Sequence, residues 1–308
     1  MAGNKLVVIV GPTAVGKTSF SLRVAQAFNG DIISADSRQV YKGLDIGTDK
    51  VAPHHRETIK HHLLDVVAPD EVLTLADFQE QAYKAIDSIL QQQRLPLLVG
   101  GTGQWVWAVA EGWGIPRVAP DFDLRAKLEA DAETHGHTHL HDQLVAVDPQ
   151  AAAKLDSRNV RRVIRALEVY YKTGIPISQH QKKSPPPYNI QIIGLHRTRE
   201  NLYQRIDDRI DGMIDEGLVA EVEQLVEAGY GWNLPAMSGL GYRQIGLYLQ
   251  GEATLPEAIA LIKKETRRFV RQQDNWFRRT DDRITWFAAE NELEDAYACI
   301  EAFVREDS

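Results

Sequence analysis

The chain has a single cysteine, Cys299, in 308 residues. It therefore holds no internal disulfide and no cysteine-built zinc site, and a lone thiol suits a reducing compartment. No apolar run approaches the roughly 20 residues that span a bilayer. Met1-Ala2-Gly3-Asn4-Lys5 leads straight into an apolar stretch with no signal peptide, and neither a repeat nor a low-complexity segment interrupts the sequence. These absences leave a globular protein, expected in the cytoplasm and away from membranes; a monomer is the expectation, though the sequence does not give the oligomeric state. With 44% apolar residues the chain has material for one or two domains.

Basic charge is also scarce overall, the formal net charge being −8, which at first sight excludes a polyanionic partner. The distribution reverses that conclusion locally. From Asp156 to Arg209 eleven Lys/Arg face five Asp/Glu, and from Lys263 to Arg283 eight face four. Local patches, more than totals, decide whether a polyanion docks. Arg158, Arg161, Arg162 and Arg165 repeat at helical spacing, as do Lys263, Arg267, Arg268 and Arg271, and such stripes suit RNA phosphates as well as plain solvation.

The most specific pattern present is Gly11-Pro12-Thr13-Ala14-Val15-Gly16-Lys17-Thr18, directly after the apolar run Leu6-Val7-Val8-Ile9-Val10. A G-x-x-x-x-G-K-T loop between a strand and a helix turns backbone N–H groups around phosphate oxygens. Lys17 adds a charge there and Thr18 offers a hydroxyl to Mg²⁺. A diphosphate or triphosphate ligand follows.

Short apolar runs at Lys5–Val10, Asp31–Ser34, His62–Val66, Leu95–Val99 and Asn189–Leu195 predict parallel strands separated by helices at 19–28 and 75–93. The expected fold is α/β, a phosphate-loop, nucleotide-kinase-like parallel sheet. Between Gly112 and Pro187 the alternation lapses into helices at 121–135 and 151–173. An all-helical insertion domain is therefore expected over 119–187, within a core of 1–118 and 188–308 that ends in a helical C-terminal region. Helices are predicted at 199–216, 218–228, 237–250 and 255–277. The four alternating histidines from His135 to His141 could suggest a metal site, but their spacing suits a loop or strand edge and no matching Cys/Asp/Glu set stands out nearby, so a polar surface loop is expected.

Two further strand ends carry chemistry. Asp36, after the second strand, is placed to accept a proton; a helix cap or a Mg²⁺-orienting role is the alternative. The strand at 95–99 ends in Gly100-Gly101-Thr102-Gly103, where glycines let backbone approach a ligand and Thr102 presents a hydroxyl.

In order, Gly11–Thr18, Asp36-Ser37-Arg38-Gln39-Val40-Tyr41, Ile46–Lys50, His61–Asp65, Val99–Gly103, Arg165–Glu168, Thr173–Ser178 and Arg271–Phe277 resemble the motifs of the tRNA dimethylallyltransferases across residues 5 to about 280. That resemblance implies transfer of the dimethylallyl group of dimethylallyl diphosphate to N6 of adenosine 37 in tRNAs reading codons that begin with U. It implies that Gly11–Thr18 hold the diphosphate of the prenyl donor, that Asp36 is the general base, and that Thr102 helps hold the adenine. It assigns contacts with the anticodon stem-loop to Asp36, Ser37, Arg38, Gln39, Thr102, Arg125 and the segment Arg161, Arg162, Val163, Ile164 and Arg165. Where the family's last motif has Arg and Thr, this chain has Gln272 and Asn275. A small-molecule or nucleoside kinase, a non-enzymatic RNA-binding module and a prenyltransferase acting on free AMP remain rivals on the residues alone.

Overall fold

The computed structural model describes residues 4–306; Met1–Gly3, on which the expectation of no leader rests, lie outside them. The chain forms two compact units. One comprises the chain up to Leu73, Asp77–Ala110 and everything from Pro187 onward; the other comprises Thr74–Ala76 and Glu111–Pro186.

The first unit is built on β1 (Lys5–Val10), α1 (Lys17–Ala27), β2 (Gly30–Ser34), α2 (Pro53–Thr58), β3 (His61–His62), α3 (Leu75–Gln91), β4 (Leu95–Gly100) and α4 (Gly103–Ala110). Every residue of β1, β2 and β4 is buried, so both faces of these strands are covered, as their unbroken apolar runs require. Even Lys5 is enclosed, its ammonium donating to the Val304 carbonyl at 2.9 Å. The predicted strand at 62–66 shrinks to two residues because Leu63 and Asp65 adopt positive φ. The Asp65 carboxylate instead takes Lys50 at 2.5 Å and Arg56 at 2.8 Å.

The second unit holds α5 (Phe122–His135), α6 (His137–Val147), α7 (Pro149–Ala152), α8 (Val160–Thr173) and α9 (Ile177–His180). Asp121 caps α5 by accepting from the Leu124 N–H at 2.9 Å. Two expectations change here. The helix predicted over 151–173 is two helices, parted by a turn in which Asp156 accepts from the Arg158 N–H. The histidine run is not a loop: His135 closes α5, Gly136 turns the chain at φ 89°, and His137, His139 and His141 lie on α6. Leu128, Leu140, Leu144, Val163, Ile164 and Leu167 form this unit's core. Beneath them Glu168 is fully buried and accepts from the Asp121 N–H at 2.7 Å, from Arg125 at two atoms and from Arg165.

The chain returns to the first unit through β5 (Asn189–His196), then α10 (Arg199–Asp215), α11 (Leu218–Glu227), a 3-10 turn at Ala236–Ser238, α12 (Tyr242–Leu249), α13 (Leu255–Trp276), β6 (Ile284–Ala288) and α14 (Leu293–Arg305). Glu257 bonds the Thr254 N–H at 2.8 Å, a capping box that starts α13. The helix predicted over 237–250 is interrupted at Gly239–Gly241. β6 and α14 went unpredicted: Ile284-Thr285-Trp286-Phe287-Ala288 is a five-residue edge strand, most of it only partly buried, and it follows a long helix. All six strands are parallel in the order β3-β2-β4-β1-β5-β6.

Burial raises the Glu168 pKa, and the hydrogen bonds from Arg125, the Asp121 N–H and Arg165 outweigh it, holding the carboxyl below its ordinary value. A depressed folded-state pKa stabilises above the unfolded value and loses that contribution as pH falls through the folded one. Glu168→Gln should therefore destabilise the protein at pH 7 by about 2 kcal/mol, the scale of hydrogen bonds to charged groups. In urea unfolding the gap from wild type should narrow as pH drops below the ordinary glutamate range.

Candidate active site

β4 lies between β1 and β2 in the sheet, so the segments that leave these three strands emerge side by side at one edge. The approach is close. A Cβ on Gly100 would lie 2.2 Å from the Ala35 carbonyl oxygen, and the Thr102 N–H bonds that same oxygen at 3.2 Å. Only glycine permits the contact that brings the end of β4 against the end of β2.

After β1, Gly11 takes φ 146°, and a Cβ there would meet the Leu195 carbonyl oxygen at 2.4 Å. Ala14 sits at φ 61°, a conformation that costs free energy and marks functional loops. The loop then feeds α1, whose N-terminal N–H groups and dipole face any anion held there. Lys17 curls over the loop and donates to the carbonyls of Gly11 and Pro12 at 2.9 and 2.8 Å. Burial pushes its pKa down to about 8, Asp36 opposing, Arg209 assisting and Asp49 opposing. Thr18, in the first turn of α1, is exposed.

Three arginines that the charge count had grouped with an RNA-facing segment brace this loop instead. Arg197 donates to the Val15 carbonyl and Arg205 to the Ala14 carbonyl, each at 2.9 Å, and Arg209 donates to the Thr13 hydroxyl at 2.8 Å. Their role was invisible in the sequence because it depends on α10 passing beside a loop almost 200 residues earlier.

Asp36 accepts from the Arg38 N–H at 2.9 Å through one carboxylate oxygen. Thr102 accepts from the Ser37 N–H at 3.1 Å, and its hydroxyl lies 3.4 Å from that of Ser37. Arg38 reaches the Pro235 carbonyl and the Ser238 hydroxyl. Gln39 accepts from Ser34 and donates to the carbonyls of Thr48 and Asp49. Gln273 fastens the two walls together: its amide donates to the Gly101 carbonyl at 3.0 Å and accepts from the Thr13 N–H at 2.9 Å. It is buried, whereas Gln272 and Asn275 on the same helix are exposed. The motif around it was visible in the sequence, but which of its two glutamines faces inward was not.

Thr13, Asp36, Ser37, Arg38, Thr102, Arg209 and Gln273 open onto one cavity of about 270 Å³, whose remaining lining includes Ile206, Ile210, Met213, Ile262 and Phe269. The cavity therefore has a polar, charge-bearing end and an apolar wall. That suits a ligand with a phosphorylated head and a short hydrocarbon tail.

The helical unit holds the other candidate residues, and three of them need correction. Val163 and Ile164 are core residues, 0% and 2% exposed, so their side chains are unavailable to RNA. Arg158 precedes α8 and pairs with Asp156 at 2.6 Å, so it does not extend the stripe. Arg125 and Arg165 both clamp Glu168, while Arg161 and Arg162 are exposed. On α13, Lys263 pairs with Asp211 and Arg267 with Asp207. Trp276, which the sequence allows either to pack in the core or to stack on a base, is 39% exposed and lies against Gly103.

A phosphate loop, a carboxylate and a hydroxyl on three neighbouring strand ends define a phosphate-loop α/β protein with an active-site cleft. The chain matches the IPP transferase family over residues 39–280, and it belongs to that family. It is 53% identical to the tRNA dimethylallyltransferase of Herpetosiphon aurantiacus over 288 residues, 94% of this chain and 91% of that protein. With the Roseiflexus sp. tRNA dimethylallyltransferase it shares 51% over 295 residues, 96% and 97% of the two chains. Among solved structures, the tRNA isopentenylpyrophosphate transferase of Bacillus halodurans matches with a TM-score of 0.73 at 40% identity, covering 98% of this chain and 97% of that one. A eukaryotic dimethylallyltransferase described as acting on tRNA matches at 0.85 and 28%, covering 98% and 80%.

An anion in the loop favours the Lys17 ammonium and raises its pKa. Inorganic diphosphate should therefore bind with proton uptake near pH 8 and weaken as pH rises beyond it. Calorimetry in two buffers of different ionisation enthalpy measures this, and the uptake should vanish in Lys17→Ala once the ligand's own ionisation is subtracted.

Proposed function

We propose that this chain transfers the dimethylallyl group of dimethylallyl diphosphate to N6 of adenosine 37 in tRNAs reading codons that begin with U, releasing diphosphate, and that it works in the cytoplasm. The observation that carries this reading is the single cavity that joins the phosphate loop, Asp36 and Thr102 to an apolar wall. The apolar wall accommodates a five-carbon prenyl group beside the phosphate-binding end.

The donor's diphosphate occupies Gly11–Thr18, with Lys17 and Arg209 as cations beside it and the allyl group toward Ile206, Ile210 and Met213. The exocyclic amine is a weak nucleophile because its lone pair is shared with the ring, so positioning and proton removal both contribute. The N6 nitrogen forms a bond to C1 of the allyl group, the C1–O bond breaks, and its electron pair leaves with the diphosphate. Asp36 takes the N6 proton through the carboxylate oxygen not committed to the Arg38 N–H. Thr102 holds the adenine, and the loop N–H groups and Lys17 stabilise the charge growing on the departing diphosphate. The exposed Thr18 hydroxyl, with the diphosphate oxygens, is an all-oxygen donor set of the kind Mg²⁺ prefers. When bound, Mg²⁺ would neutralise diphosphate charge.

Adenosine 37 has to leave its stack to reach Asp36, as bases do in other enzymes that modify them. Ser37 and Arg38 line the cavity beside Asp36, while Gln39 is turned to Ser34, Thr48 and Asp49. Arg161 and Arg162, at the start of α8, are exposed and have no ion-pair partner among the described residues, and so offer charge to RNA phosphates.

Asp36→Asn should lower kcat by roughly 10²–10⁴-fold, the usual contribution of a positioned base, with the KM for dimethylallyl diphosphate little changed. Mass spectrometry of nucleosides from unmodified tRNA, looking for adenosine heavier by one isopentenyl unit, gives the rate; near-wild-type turnover overturns the assignment. Replacing Arg161 and Arg162 together by Glu should raise the KM for tRNA and flatten its salt dependence while leaving the donor KM unchanged. Equal effects on both substrates would remove the helical unit from tRNA binding.

A further inference from the structure

The surface of the helical unit holds a group of side chains that the proposed prenyl transfer does not use. Asp131 and His135 stand one turn apart near the end of α5. The chain turns at Gly136, and the start of α6 brings His139 back beside them. The two imidazole rings lie 5.1 Å apart. One carboxylate oxygen of Asp131, one ring nitrogen of His135 and one of His139 all fall within 4.8 Å of one another. We infer that Asp131, His135 and His139 bind one divalent transition-metal ion of the zinc class, with water completing its coordination.

Ligand geometry supports this. A tetrahedral zinc site with bonds of about 2.0–2.2 Å spaces its ligand atoms roughly 3.4 Å apart. Here the three donor atoms lie within 4.8 Å of one another, with His135 Nδ1 2.9 Å from one Asp131 oxygen and His139 Nε2 3.8 Å from the other. Both imidazoles are half exposed or more, 59% and 50%, so small rotations close the gap and a hydrated ion has a free approach. Gln143, one turn beyond His139 on α6, donates to an Asp131 oxygen at 2.7 Å and its amide nitrogen lies 3.3 Å from His139 Nε2, so it orients the carboxylate and turns from the imidazole when a metal binds. Metal-binding carboxylates characteristically have such an outer partner.

Donor chemistry selects the ion. Two imidazoles and one carboxylate suit zinc, cobalt, nickel or copper, whereas magnesium and calcium favour all-oxygen sets. This separates the site from the Thr18 hydroxyl at the phosphate loop. The neighbouring histidines do not compete for the same ion, since His141 is bonded to the carbonyls of Ala152 and Leu155 and His137 lies beside Thr138. A metal held here would tie the last turn of α5 to the first turn of α6 across a one-residue hinge, and so stiffen the corner of the helical unit.

The test uses the full chain, stripped with a chelator and dialysed against equimolar zinc. The expected result is one zinc per chain, undisplaced by excess magnesium, lost in His135→Gln and in His139→Gln and kept in His137→Gln and in His54→Gln, a control for the adjacent pair His54 and His55. Zinc should slow amide exchange over residues 131–139 in wild type and in neither His variant. No binding by wild type, or binding untouched by both the His135 and His139 changes, overturns the inference. Anomalous scattering at the zinc edge from wild-type crystals decides without any variant: a peak among the three side chains supports the site, and a peak elsewhere or none rejects it.

Discussion

Everything in the cleft depends on the parallel pairing of β1, β4 and β2. Parallel strands point their carboxyl ends the same way, so three segments far apart in sequence arrive at one edge of the sheet. Gly100 lets the β4 and β2 ends touch at the Ala35 carbonyl, which sets Thr102 against Ser37 and next to Asp36. Gly11 lets the end of β1 pass the Leu195 carbonyl on the other side. If this edge were wider by one side chain, a group held by the phosphate loop and a group facing Asp36 would no longer share one cavity.

Around that edge the protein arranges charge with unequal solvation. Lys17 is held deep enough for burial to depress its pKa, and it presently satisfies itself on loop carbonyls. Arg197, Arg205 and Arg209 hold the same loop from α10 and the segment just before it. Gln273 ties the loop to the Gly101 turn. The loop is thus fixed from two helices before any ligand arrives, and the preorganised N–H groups need little rearrangement to meet developing negative charge.

Much of this was legible in the sequence. The loop Gly11–Thr18 and the strand before it are local patterns, and unbroken apolar runs identified β1, β2, β4 and β5. Eight motifs in register pointed to the family. Features set by packing across long separations were not legible. The arginine stripe at 158–165 is a sound helical pattern, yet Arg165 serves Glu168 one turn on and Arg158 pairs with Asp156 in the preceding turn; that Glu168 is buried and shared with Arg125 was decided by helix packing. β6 was hidden since an edge strand that is only partly buried carries a weak apolar signal. The histidine run reads as a loop because alternating spacing suits a loop or strand edge; in the folded chain it is a corner between two helices at Gly136.

The sequence by itself determined the chemistry on offer: a phosphate cradle, a carboxylate at a strand end, a glycine turn with a hydroxyl, and two basic segments. Local geometry and residue type suffice for those. Tertiary structure alone decided which charges remain available. Net charge per segment counts side chains without their partners, and partners such as Asp207, Asp211 and Glu168 are brought in by helix packing. It also decided that the cavity has an apolar wall, because Ile206, Met213, Ile262 and Phe269 come from two helices whose apolar faces meet only in the folded chain.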